Sequence, residues 1–115
     1  MKSGTLYEQG EILLVPFPFT DLSSIKRRPV LILSNSQYNS RSEDIVTCGI
    51  TSNLKDSNFS VLIDDRNLIS GKLPIQSIIK VDKLFTLNQR LIRRRLAKTN
   101  QKTFNLVKKE LFKLI

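Results

Sequence analysis

The 115-residue sequence has no histidine and a single cysteine, Cys48. One cysteine excludes an internal disulfide framework, and without histidine beside it a His/Cys zinc site has no ligand set. The missing histidine also removes the commonest general base, so any catalysis must run on Arg, Lys, Ser, Thr, Tyr, Asp, Glu or backbone groups. Four glycines cannot build a glycine-rich phosphate loop, and zinc-binding His pairs, calcium loops and G-x-S-x-G elbows are equally missing. No apolar run approaches the roughly 20 residues needed to cross a bilayer. The opening MKSGTLYEQGE lacks the apolar core of a signal peptide, so a cytoplasmic protein is expected. No repeat, low-complexity tract or Gly/Ser linker divides the chain, and residues 1–115 read as one domain. A chain of this length buries roughly two-thirds of its unfolded surface, enough for a core without staples.

Charge is what the sequence has in excess. Nineteen Lys and Arg face ten Asp and Glu, a net charge of +9. Residues 1–79 balance, with eight side chains of each sign, and residues 80–115 carry eleven basic and two acidic ones. A basic excess confined to the last third attracts a polyanion such as nucleic acid, an acidic protein segment or an anionic membrane. The alternative is a solvated basic face that only keeps the protein soluble.

The apolar pattern predicts a mainly β protein with a C-terminal helix. Glu11–Pro16 reads as a buried strand ended by Pro16 and Pro18, which remove ladder donors. Phe17–Arg28 reads as a long loop, and long loops in compact domains are often functional. Pro29–Ser34 is the second strand, with proline in its tolerated first position. Asn35–Asp44 is polar and turn-like. Further strands are expected at Ile45–Thr51, Phe59–Ile63 and Leu73–Val81, the last bent near Pro74, with a turn of helix at Lys83–Leu87. Leu91–Leu96 leans to strand. Thr99 or Asn100 caps a final helix whose apolar stripe is Phe104, Val107, Leu111, Leu114 and Ile115. Five or six short strands and one helix suggest a small, strongly curved antiparallel barrel. The helix then covers an apolar face or, alternatively, forms a ligand groove.

Four groups of residues carry chemical potential. Lys26-Arg27-Arg28 precede Pro29, which restricts the local backbone. A guanidinium held there can grip phosphate oxygens in bidentate fashion and stabilise a phosphorane-like transition state; equally, the run is an exposed loop of mutually repelling cations. Thr51-Ser52-Asn53 offers two hydroxyls and an amide to a phosphate or base edge, or simply forms the turn after a strand. Phe17 and Phe19 can stack on unpaired bases or complete the core. Asp21 can orient an arginine, act as a base or form an Asx-turn. Arg93-Arg94-Arg95 is read as part of the general cationic field, because strand residues alternate faces.

Gly10-Glu11-Ile12, Val15-Pro16-Phe17-Pro18-Phe19-Thr20-Asp21, Lys26 and Arg28-Pro29-Val30-Leu31-Ile32-Leu33-Ser34 together resemble the MazF/PemK family of toxin–antitoxin toxins, in a variant with a VPFPFTD first loop. Ile50-Thr51-Ser52 follows in the family's order and spacing. Ile78 to Asp82 and the terminal helix resemble its last strand and helix, and the resemblance covers about residues 9–115. It implies a small SH3-like barrel, usually a homodimer. It also implies a metal-independent endoribonuclease without cofactor that cuts single-stranded mRNA and is neutralised by an acidic, flexible antitoxin. The family's catalytic arginine falls on Arg28 and its threonine on Thr51. In that chemistry the RNA 2′-OH displaces the next nucleotide's 5′-oxygen, leaving a 2′,3′-cyclic phosphate and a 5′-OH. Lys26, Arg27, Phe17, Thr20, Ser52, Asn53 and Gln76 are the candidate RNA-binding residues.

The sequence departs from the pattern at two places. A His-Glu pair of some members is replaced near Leu22-Ser23, and an Arg and Asp of others by Pro74 and Gln76. The general base is therefore open, with Asp21 the nearest carboxylate to test. Two other functions fit the same barrel. One is a toxin resembling CcdB, which poisons DNA gyrase and needs no R-P phosphate site. The other is a non-catalytic RNA-binding module, which binds single strands with steep salt dependence and releases no products.

Overall fold

The computed structural model describes residues 6–18 and 25–115, with Phe17, Pro18 and Ile25 described by backbone alone. Among the described residues, seven strands form one antiparallel sheet: β1 (Glu11–Pro18), β2 (Ile25–Ile32), β3 (Asp44–Thr51), β4 (Ser60–Ile63), β5 (Leu68–Gly71), β6 (Ser77–Asn88) and β7 (Arg94–Thr99). The order across the sheet is β4-β6-β3-β2-β1-β7-β5. Among the described residues, two α-helices, α1 (Ser36–Arg41) and α2 (Gln101–Leu114), and two short 3-10 turns accompany the sheet. The sheet curls into a half-barrel whose open side α2 closes, as the mainly β reading expected.

Strand alternation divides the sheet into two apolar faces. One gathers Ile12, Leu31, Cys48, Ile50, Ile79 and Val81 under Phe104 and Val107 of α2. The other holds Leu13, Val15, Val30, Ile32, Ile45 and Leu87. Asn100 caps α2, its side-chain oxygen accepting from the Thr103 amide at 2.8 Å. Leu114 and Ile115, expected in the buried stripe, are instead exposed, Ile115 by 83%, because α2 runs past the edge of the face it covers.

Several elements differ from the sequence reading. β1 does not stop at Pro16 but continues to Pro18, and β2 begins at Ile25, so Arg28 lies within a strand and Pro29 in its middle. The reason is pairing on one side only. β1 pairs with β7 no further than Leu14, and β2 meets β3 only from Val30 onward. Where a strand has a single neighbour, a missing N–H breaks no second ladder. β6 runs through Ser77–Asn88, so the helical turn expected at Lys83–Leu87 is strand, pairing along β3 from Leu84 to Asn88. Leu73–Gln76, read as the start of that strand, precede it. β5 was not anticipated; it is a short edge strand joined to β7 in an irregular register. Gly71 in it has φ +77°, and a Cβ there would press on the Leu96 carbonyl and Ala97.

The polar stretch Asn35–Asp44 forms α1 rather than a turn. Asn35 caps it by accepting from the Tyr38 amide at 2.9 Å. Its anchor is the buried Asn39, which donates to the carbonyls of Tyr7 and Ser34 at 2.9 and 3.1 Å. Asn39 also accepts from Ser34 Oγ at 2.6 Å. Gln89 donates to the carbonyls of Asn39 and Ser42, both at 2.9 Å. Arg95 likewise departs from a diffuse field. It donates to Glu11 Oε2 at 2.8 Å and lies 4.3 Å above the Tyr7 ring.

Cys48 lies wholly inside the α2-covered face. Burial, helped by the nearby Asp82 charge, pushes its thiol up to about 12. The unfolded value is about 8.5, so the neutral thiol supports the fold below that pH and the contribution is lost as pH rises toward the folded value. We expect Cys48 to be unreactive toward a thiol reagent at pH 8 in the native protein and to react fully in denaturant; rapid native-state labelling would contradict its placement.

Candidate active site

A cavity of about 510 Å³ opens beside the end of β3, lined in part by Arg28, Pro29, Gly49, Thr51, Asn53, Asp56, Lys80, Lys83 and Phe85. The strand register explains why Arg28 and Thr51 meet there. Val30 of β2 stands opposite Gly49 of β3. Two residues back along β2 is Arg28, and two forward along β3 is Thr51. Continued past the paired ladder, the same register sets them opposite each other on one face. Gly49 pairs in turn with Lys80 of β6, so its bare backbone leaves an opening between Val30 and the lysine.

β6 is irregular at this point. Cys48 pairs with Leu84 while the next residue, Gly49, pairs with Lys80, which leaves Val81, Asp82 and Lys83 as a bulge. Bulges re-aim side chains, and here Lys83 of the bulge reaches the cavity beside the regularly paired Lys80. Lys80 is only 4% exposed. Its ammonium donates to the Asn58 carbonyl at 2.6 Å and lies 3.2 Å from Asp56 Oδ1 and 3.3 Å from Asp82 Oδ1. Asp82 Oδ1 is itself buried and accepts no hydrogen bond, so its contact with Lys80 is ionic only.

The hydrogen bond from Lys80, with a smaller push from Lys83, holds the exposed Asp56 carboxyl below the usual carboxylate range. A lowered folded value means that this pairing supports the fold above the unfolded carboxylate range and is lost as pH falls through the folded value. Thr51 Oγ1 accepts from the Asn53 amide at 3.1 Å. That leaves its O–H to donate into the cavity. The lining thus sets Arg28 and Lys83 beside one carboxylate, Asp56, with Lys80 engaged by protein oxygens, an arrangement that can accept an anion.

Of the residues singled out in the sequence, Arg28, Thr51 and Asn53 come together in this cavity. Lys26 and Arg27 are exposed on β2 outside it, Ser52 is exposed just past Thr51, and Gln76 is exposed before β6. Phe19, Thr20 and Asp21 lie outside the described residues, as does the side chain of Phe17. The sequence reading missed Lys80, Lys83 and Asp56. One signal was present: Lys80 interrupts the apolar run Ile78–Val81, where an unpaired charge is costly.

Fold and site define a small half-open β-barrel with a cavity at β2, β3 and β6 lined by arginine and lysine side chains. The chain belongs to the PemK-like, MazF-like toxin family of type II toxin–antitoxin systems, whose model matches residues 8–115. Comparison with curated proteins gave no match. Among solved structures, a MazE–MazF complex from Deinococcus radiodurans aligns with TM-score 0.76 at 24% identity, covering 96% of both chains. An endoribonuclease with its cognate antitoxin from a Mycobacterial species aligns with TM-score 0.75 at 17% identity, covering 96% of this chain and 93% of that one. The Mycobacterium tuberculosis toxin MazF-mt6 aligns with TM-score 0.73 at 17% identity, covering 90% and 93%.

Proposed function

We propose that this toxin is an endoribonuclease that cuts single-stranded RNA without a metal ion, using Arg28 and Thr51. The observation that carries the reading is their meeting in one cavity, on neighbouring strands, within a chain of this family. A structural relative from a Mycobacterial species is an endoribonuclease, which supports it. The RNA 2′-OH attacks the adjacent phosphorus, the bond from phosphorus to the 5′-oxygen breaks, and that oxygen leaves with a proton as a 5′-OH. The other product is a 2′,3′-cyclic phosphate. Arg28 neutralises charge gathering on the phosphoryl oxygens, and its planar fork matches two of them. The Thr51 hydroxyl, oriented by the Asn53 amide, donates to a non-bridging oxygen.

The proton of the 2′-OH needs an acceptor. Asp21 is the carboxylate put forward by the sequence and lies outside the described residues. Asp56 is the carboxylate on the described cavity wall, and its lowered pKa keeps it ionised but makes it a weak base. Two partners belong to the same reading, an acidic cognate antitoxin and a second copy of the chain. The antitoxin is supported by the basic excess of residues 80–115 and by the antitoxin complexes among the structural relatives.

The test is incubation of the protein with a long single-stranded RNA in excess EDTA, with ends mapped by primer extension. Discrete cuts bearing 5′-OH ends are expected. A strict requirement for divalent metal would refute the metal-free mechanism, and intact RNA would refute the ribonuclease.

A further inference from the structure

Residues 52–59 join β3 to β4 along the cavity mouth, and residues 52–58 are all exposed. Their internal hydrogen bonds are short-range. Thr51 Oγ1 and Asn53 Oδ1 accept from the amides of Asn53 and Lys55, both at 3.1 Å. Ser60 Oγ donates to the Ser57 carbonyl at 2.6 Å. Such turns shape a loop locally but do not fix it to the body of the protein. That fixing comes from β6. The Val81 amide donates to the Phe59 carbonyl at 2.9 Å, next to Phe59's left-handed φ of +49°. Lys80 reaches further into the segment and holds Asn58 through its carbonyl and Asp56 through its carboxylate.

We propose that Lys80 is a positioning residue, a buried clip that holds the segment carrying Asn53 and Asp56 against the cavity so that a single strand is bound in register. The proposal rests on the ribonuclease reading. The ammonium has three N–H groups, and three oxygens lie around it, from Asn58, Asp56 and Asp82. It is therefore engaged with the protein, and its effect on substrate runs through the segment. Arg28 and Thr51 sit on strands and do not depend on the clip for their placement. Loss of the clip weakens binding of the strand and leaves the chemical step largely intact.

The experiment compares the native chain with K80M, K80R and the double variant K80M/D56N on a short single-stranded RNA, with folding checked by circular dichroism. In K80M, KM rises about tenfold while kcat stays within about threefold, the pattern of lost ground-state binding. K80R recovers most of the binding. The double variant removes one charge of each sign, so the local net charge is native but the clip is gone, and its KM stays high. A return to native KM in the double variant would overturn the proposal, since Lys80 would then act only by charge.

A second readout needs no RNA. Trypsin cleaves after Lys55 at least about tenfold faster in K80M than in the native chain, because proteolysis follows local opening. An unchanged rate would overturn the clip. Should K80M fail to fold, K80Q removes the ammonium while keeping a polar chain and still accelerates cleavage after Lys55. If the native chain leaves RNA intact, the ribonuclease reading falls, and the Lys55 cleavage rates still decide whether the clip exists.

Discussion

Arg28→Ala is expected to fold normally and to cleave RNA at least about a hundredfold more slowly than the native chain, in line with removal of one preorganised transition-state donor. Arg28 is half-buried in the part of β2 that pairs with β1 alone. Its side chain is outside both apolar core clusters, so truncation removes charge and hydrogen bonding without opening a core cavity. Arg28→Lys tests the geometry separately. It retains the positive charge but loses the planar fork, and recovery of only a small part of the rate is expected. Single-turnover cleavage with melting curves recorded alongside separates the chemical loss from unfolding. Unchanged cleavage by a folded Arg28→Ala protein would remove the arginine from the mechanism.

The largest expected loss of stability comes from Leu31→Ala. Leu31 is fully buried near the C-terminal end of β2, between Ile12 of β1 and Cys48 of β3, and packs in the cluster that α2 covers. Removing three carbons there costs about 2–5 kcal/mol, because a close-packed interior relaxes only partly into the space left. At roughly 4 °C per kcal/mol for a domain near this size, the melting temperature falls by roughly 8–20 °C. Leu62→Ala is the comparison. Leu62 is 53% exposed on β4, and its truncation is expected to stay within about 0.5 kcal/mol. Thermal unfolding followed by circular dichroism decides; equal melting of the two variants would contradict this assignment of the core.

The contrast between these two sites reflects what a sequence reveals well. Leu31 lies in the apolar run Val30–Leu33, and such runs announce buried strands through composition alone. Arg28 was legible for a different reason. A cation beside proline at the entrance to that run is unusual, and the flanking residues follow a family pattern. The α2 helix was legible from period and cap together, since Asn100 and the Phe104–Val107–Leu111 spacing are local features.

The misreadings share a cause in non-local pairing. Lys83–Leu87 has no strong local preference and becomes strand because β3 presents an edge along its whole length. α1 has no apolar period, since Asn39 and Gln89 anchor it through buried hydrogen bonds. Lys80 belongs with these. In the sequence it is one lysine in an apolar strand, and its role depends on oxygens 22 and 24 residues away, at Asn58 and Asp56, brought to it by a loop.

By itself, then, the sequence determined the mainly β class, the terminal helix and the basic excess of residues 80–115, and it put forward Arg28 and Thr51 as candidates. These are carried by composition, short-range period and motif, which survive in a linear reading. The tertiary structure alone decided that Arg28 of β2 and Thr51 of β3 line one cavity with Gly49 between them, and that Lys80 of β6 holds the neighbouring loop. Each of those depends on register between distant strands, and a shift of one residue in that register would send every one of these side chains to the other face of the sheet.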